Sequence, residues 1–111
     1  MAEKTTKKTV YVAGQISGLS KEEYTQIFEH ARAVVRTLVG VDCDIIIPMD
    51  FCVDDTWTWF RCMDECMEVL WGVDAVYFLP NYTQSKGAVC EYYVARALGK
   101  EIVLLTEKDL V

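Results

Sequence analysis

The sequence has one histidine in 111 residues, which argues against a histidine-rich zinc site or a serine–histidine–acid triad. That residue, His30, falls on the flank of a helical segment, about 100° from the centre of its apolar stripe, and is expected to be solvated. There is no Gly-x-x-x-x-Gly-Lys-Ser/Thr and no Gly-x-Gly-x-x-Gly, so neither common nucleotide-phosphate loop is present. Gly14-Gln15-Ile16-Ser17-Gly18 puts its serine one place off the Gly-x-Ser-x-Gly elbow. No apolar run approaches the roughly 20 residues of a membrane span, and the polar, basic segment Met1–Thr9 is not a secretory signal. Basic residues are scarce as well: 11 Lys plus Arg stand against 17 Asp plus Glu, for a net charge of −6. No basic stripe is left to displace counterions from nucleic acid, whereas a small anionic ligand needs only a local site. Cys-x-x-Cys is absent too. The five cysteines stand at positions 43, 52, 62, 66 and 90 and read as reduced thiols of a cytoplasmic protein. Only Cys62 and Cys66 share a helix face, and Cys66 belongs to an apolar stripe, so no metal and no cofactor is expected.

What is present is the composition of a folded domain, 52% apolar and 25% charged. Residues 1–111 are expected to form one domain, with 1–8 a flexible N-terminus. Short β-type runs alternate with helical periodicity. Thr9–Ala13 is a strand ending at Gly14. Ser20 with Glu23 makes a capping box for a helix whose stripe is Tyr24, Ile27, Phe28, Ala31, Val34, Val35 and Leu38, closed by Gly40. Ile45–Ile47 is a strand that Pro48 terminates. Asp54 or Asp55 is expected to cap a second helix reaching about Trp71, with Trp59, Met63, Cys66, Met67 and Leu70 inward. Asp74–Leu79 is a third strand, Ser85 opens a third helix to Leu98, and Ile102–Leu105 is the fourth strand. This order predicts a small doubly wound α/β fold, Rossmann-like or flavodoxin-like, with about four parallel strands and helices on both faces. Ligands of such sheets bind beyond the carboxyl ends of the strands, which draws attention to the loops after Ala13, Ile47 and Leu79.

The third helix breaks the rule its own pattern sets. Gly87, Ala88, Glu91, Val94, Ala95 and Leu98 follow helical spacing, and every member is small or apolar except Glu91 at the centre. A carboxylate there is costly unless it is hydrogen-bonded, paired or facing a cavity. Two accounts compete: hydrogen bonds from neighbouring backbone or an arginine, or a place at the floor of the ligand crevice. Ser85 at the N-cap, with the open N–H groups of Lys86, Gly87 and Ala88, makes an anion site as well as a plain cap.

Val10-Tyr11-Val12-Ala13-Gly14, then Ile16-Ser17-Gly18, Asp74-Ala75-Val76 and Ser85-Lys86-Gly87-Ala88 with Glu91, together resemble the nucleoside 2-deoxyribosyltransferase superfamily. The match is closest to its small DUF4406-type members and runs from about Val10 to Leu105. The resemblance implies that Glu91 is the nucleophile attacking the anomeric carbon of a 2'-deoxyribosyl group. It implies a sugar pocket formed with Tyr11, Gly14 and Gln15, the last standing where a proline is usual. A serine in the place of Ser85 holds the 5'-phosphate in the related nucleoside monophosphate N-glycosidases. The family's helix aspartate, eight residues before Asp74, assists protonation of the departing base, and here that place is Cys66. Asp64 could substitute only if the helix were rotated, because it lies about 160° around the helix from Cys66.

These readings converge on a small-molecule nucleoside or nucleotide as the partner, with no nucleic acid and no membrane, and on cleavage or transfer of its N-glycosidic bond. Tyr11, Trp57 and Tyr82 are candidates for stacking on the base, and Ser85, Lys86 and Gly87 for holding its anionic end. The alternative is a non-catalytic nucleotide-binding or sensing protein, which Cys66 favours. A third reading, an interaction domain, fits the aromatic surplus of Trp57, Trp59, Trp71, Tyr92 and Tyr93. A homo-oligomer is expected in each case.

Overall fold

The computed structural model describes residues 7–52 and 58–111. Lys8–Ala13 (β1), Cys43–Ile46 (β2), Ala75–Phe78 (β3) and Glu101–Leu104 (β4) alternate with the helices Lys21–Val39 (α1), Trp59–Gly72 (α2) and Lys86–Ala97 (α3). The four strands form one parallel sheet in the order β2-β1-β3-β4, the fold class the alternating pattern predicts. β1 begins at Lys8, opposite Cys43, so the ordered sheet reaches into the segment expected to be flexible.

Side-chain alternation along β1 decides which residues meet which helices. Val10 and Val12 face α1, where Phe28, Ala31 and Val35 complete one core with Ile45, Ile47 and Leu79. Tyr11 and Ala13 face the other way, into a second core with Leu70, Val73, Phe78 and Ala95 under α2 and α3. All four of these β1 side chains are fully buried, as expected for a central strand covered on both faces. The chain reverses its winding between β1 and β3, and at such a switch point the two outgoing loops diverge and leave a crevice.

Helix ends follow local chemistry. Ser20 and Glu23 form the reciprocal capping box of α1, and Gly40, at φ 90°, closes it. Three expected details change. Thr58 caps α2, its hydroxyl accepting from the backbone N–H of Arg61 at 3.1 Å, while Asp54 and Asp55 lie outside the described residues. A helix that starts this late has Trp59 in its first turn, at the rim, and Trp59 is accordingly 43% exposed rather than inward-facing. Leu38, in the last turn of α1, is likewise exposed, and its neighbour Val39 packs against the core in its stead. His30 is exposed as expected, with Nε2 2.6 Å from the Leu110 carbonyl.

Candidate functional site

Gly14 starts the loop that leaves the end of β1, and it is glycine for a steric reason. A Cβ there would lie 2.5 Å from Leu79 Cδ1, far inside contact distance. The two loops at the switch point are thus packed against each other, and the backbone N–H of Gln15 donates to Asn81 Oδ1 across the gap at 3.2 Å. After β2, Asp50 accepts from Arg32 Nη1 at 2.8 Å and from the backbone N–H of Ile47 at 3.0 Å. That pair fixes the turn carrying Pro48 and Met49. Between these loops and the first turns of α2 and α3 lies a cavity of about 260 Å³.

Glu91 lines its floor. The carboxylate comes from the second turn of α3, beside Gly87 and Ala88, which line the same cavity, and it is only 4% exposed. Tyr11 Oη donates to Glu91 Oε2 at 2.7 Å, a short charge-assisted bond when the carboxylate is ionised. The same phenol lies 3.5 Å from Cys66 Sγ on α2, so strand β1 and both helices meet at one polar contact inside an otherwise apolar core. Desolvation pushes Glu91 up to about 7, and the hydrogen bonds from Tyr11 and Cys66 pull in the opposite direction. Burial also pushes the Tyr11 phenol and the Cys66 thiol well above their ordinary values, and the neighbouring carboxylate adds to both. At neutral pH the contact therefore contains one half-ionised carboxyl and two protonated partners. A carboxyl with a raised proton affinity that lines a cavity has the chemistry a nucleophile or base requires.

The structure brings together Tyr11, Gly14, Ser85, Gly87 and Glu91, all of which line the cavity. Ser85 caps α3, its hydroxyl accepting from the Ala88 N–H at 3.2 Å, and it lines the cavity as well. Other expected residues stand elsewhere. Lys86 is exposed and is not among the lining residues, since at the first helical position its side chain radiates away from the inward Gly87. Asp64 is exposed on the solvent face of α2, as its angle from Cys66 requires, and it does not reach the cavity. Gln15 turns its amide to the Ser17 carbonyl at 3.0 Å and contributes no side chain to the lining. Tyr82 packs on Phe78 and Tyr92, with ring centroids 5.3 and 5.5 Å away, so it is held in an aromatic cluster rather than offered to a ligand. Trp57 lies outside the described residues.

Sequence reasoning missed Trp59 and Met63, on the α2 side of the cavity, and Cys52. Trp59 and Met63 belong to the stripe assigned to the core; the overlooked signal is that a stripe extending past the end of the sheet must face something other than the sheet. Cys52 arrives from the loop after β2, and its thiol is pushed up to about 12 by burial and by the adjacent Cys62. Among the described residues no group of three His, Cys, Asp or Glu side chains could hold a metal ion, and no helix is long and apolar enough to cross a membrane.

No curated protein matches the sequence significantly. Among solved structures the fold is similar to a 2-desoxiribosyltransferase from Leishmania mexicana, with a TM-score of 0.65 at 22% identity. The alignment covers 88% of this chain and 63% of that one, so this chain spans less than two-thirds of the length of its neighbour, and the likeness is one of fold. Residues 8–104 match the domain of unknown function DUF4406. The chain belongs to the DUF4406 family, with a nucleoside 2-deoxyribosyltransferase-like fold.

Proposed function

We propose that the protein binds a nucleoside or nucleotide in the 260 Å³ cavity and cleaves or transfers its N-glycosidic bond, with Glu91 as nucleophile. The observation that carries this reading is the buried Glu91 carboxyl, 2.7 Å from Tyr11 Oη, on the floor of a cavity at the sheet's switch point. Ionised Glu91 attacks the anomeric carbon, the base departs with the electron pair of the broken C–N bond, and the glycosyl ester passes the sugar to water or to a second base. The Tyr11 hydroxyl orients the attacking oxygen. The N-terminus of α3, reached through Ser85, Gly87 and Ala88, suits an anionic 5'-substituent, although Lys86 takes no part. Trp59 replaces Tyr82 as the aromatic residue available to the base.

The second reading, a nucleotide-binding protein without catalysis, is favoured by one observation: Cys66, whose thiol is held protonated by burial, stands beside Glu91 where a proton donor is wanted. A homo-oligomer fits the exposed Phe60 and Trp71 on α2 and Tyr93 on α3. The five free cysteines suit the reducing cytoplasm. The two functional readings separate in one experiment, a thermal-shift screen of nucleosides and their 5'-monophosphates followed by chromatography of the binders for free base. Base release above the spontaneous rate supports catalysis. Stabilisation without release supports the binding protein.

A further inference from the structure

The cavity is one-sided in charge. Its ionisable lining side chains, among the described residues, are Glu91, Tyr11, Tyr24 and the three cysteines Cys52, Cys62 and Cys66. Each of these is neutral or negative in any state it can adopt, and no Lys, Arg or His stands with them. When Glu91 ionises, its described partners are a phenol and a thiol; the α3 N-terminus adds a partial positive charge to the lining, and a full countercharge would come from the ligand. A ligand carrying positive charge offsets the cost of burying the carboxylate, and the Trp59 indole lines the same cavity, an aromatic ring of the kind that attracts cations.

The leaving side points the same way. A neutral base departs as an anion unless a proton reaches it, and general acids meet that need. The two protonated groups in contact with Glu91 are poor sources. Tyr11 spends its proton on the carboxylate at 2.7 Å, and the Cys66 thiol is buried against the same pair. A base whose ring is already cationic needs no such help.

We propose that this site, on the glycosidic reading above, is selective for nucleosides or nucleotides whose base is cationic in the ring bearing the glycosidic nitrogen, the N-glycosylpyridinium and the N7-alkylpurine nucleosides. Glu91 forms the C1'–O bond as the C1'–N bond breaks. The released electron pair neutralises the ring, and the base leaves uncharged without a proton. Water then attacks C1', Glu91 is regenerated as the carboxylate, and one proton goes to solvent.

The test measures kcat/KM for base release from 7-methylguanosine and from guanosine, each as nucleoside and as 5'-monophosphate, corrected for spontaneous loss. The two bases differ by one methyl group and one charge. The cationic substrate is expected to be favoured at least about hundredfold, the lower end of what a missing general acid is worth. In Cys66→Asp, confirmed folded by its melting curve, an acid stands in the thiol's place and the ratio is expected to fall at least about tenfold. A second readout does not depend on that variant: by calorimetry 7-methylguanosine binds at least about tenfold tighter than guanosine, and Glu91→Gln removes the preference. Release from the two bases within about threefold of one another overturns the proposal and leaves the glycosidic reading standing. A ratio that folded Cys66→Asp leaves unchanged overturns it as well, as does a binding preference that survives in Glu91→Gln. No release from any of the four substrates overturns the proposal; the glycosidic reading falls with it only when the screen of nucleosides and 5'-monophosphates described above also yields no free base.

Discussion

Replacing Tyr11 by phenylalanine removes one oxygen, and the structure dictates how the cost depends on pH. Glu91 binds its proton more tightly in the folded chain, with the carboxyl raised from 4.5 to about 7 by burial. Between those pH values the unfolded chain has released a proton that the folded chain still holds, so stability falls as pH rises through this window. The loss amounts to about 3 kcal/mol and is complete just above pH 7. The Tyr11 hydroxyl opposes it by donating to the carboxylate at 2.7 Å. A hydrogen bond to a charged group contributes about 1.5–3 kcal/mol, a neutral one about 0.5–1.5. Tyr11→Phe is therefore expected to cost more at pH 9 than at pH 5, by about 1–1.5 kcal/mol, which moves the Glu91 midpoint up by about one unit. Urea unfolding of both proteins at the two pH values, with reductant present, reads this directly. Titrating groups that Tyr11 does not touch cancel in the wild-type-minus-variant difference, and the Cys66 thiol, its other neighbour, is held protonated in the folded chain by burial. An equal penalty at both pH values would refute the reasoning, because it would mean that Glu91 does not change its charge in this window.

Gly14→Ala is expected to destabilise by about 1–3 kcal/mol in thermal or chemical unfolding, because the new Cβ meets Leu79 Cδ1 at 2.5 Å in a buried loop contact. Gly87→Ala should cost under about 1 kcal/mol, since its Cβ meets the movable Met63 Sδ at 3.0 Å; its effect should appear as weaker ligand binding in calorimetry. Ser85→Ala should lower stability by about 1 kcal/mol through loss of the α3 cap and narrow any affinity gap between a nucleoside monophosphate and its nucleoside. Equal affinity of the wild type for the two ligand forms would remove the phosphate from the account.

Most of the framework could be read from the sequence because local chemistry settled it. Ser20 with Glu23, Gly40 and Ser85 mark helix ends through bonds made within a few residues, and alternation along Val10–Ala13 already separates the two faces of a buried strand. Glu91 was visible because a carboxylate interrupted a stripe of small and apolar residues. What could not be read depends on contacts between segments far apart. The link from Tyr11 to Glu91 spans 80 positions and exists because β1 lies beneath α3, a matter of topology rather than periodicity. Trp59 has helical spacing with Leu70 and Cys66, yet spacing says nothing of where the sheet stops, and beyond its end the stripe faces the cavity. Tyr82 is a nearer case: its ring is occupied by Phe78 at the end of β3 and by Tyr92 on the next helix, contacts set by how the intervening turn folds. Lys86 adjoins the cap in sequence, but a single step along a helix turns it about 100° from Gly87.

The central claim is that Glu91 is buried for chemistry and not for architecture, and Glu91→Gln tests it most directly. The amide is isosteric, and its carbonyl oxygen can still accept from Tyr11, but it carries no charge to desolvate and no nucleophilic oxygen. Base release and the melting temperature are measured together at pH 8 on the ligand that the wild type turns over best. The account predicts that release falls to the spontaneous rate while the variant melts at least as high as the wild type, because the cost of ionising a buried carboxyl is gone. Unchanged release, or a melting temperature clearly below that of the wild type, would contradict it.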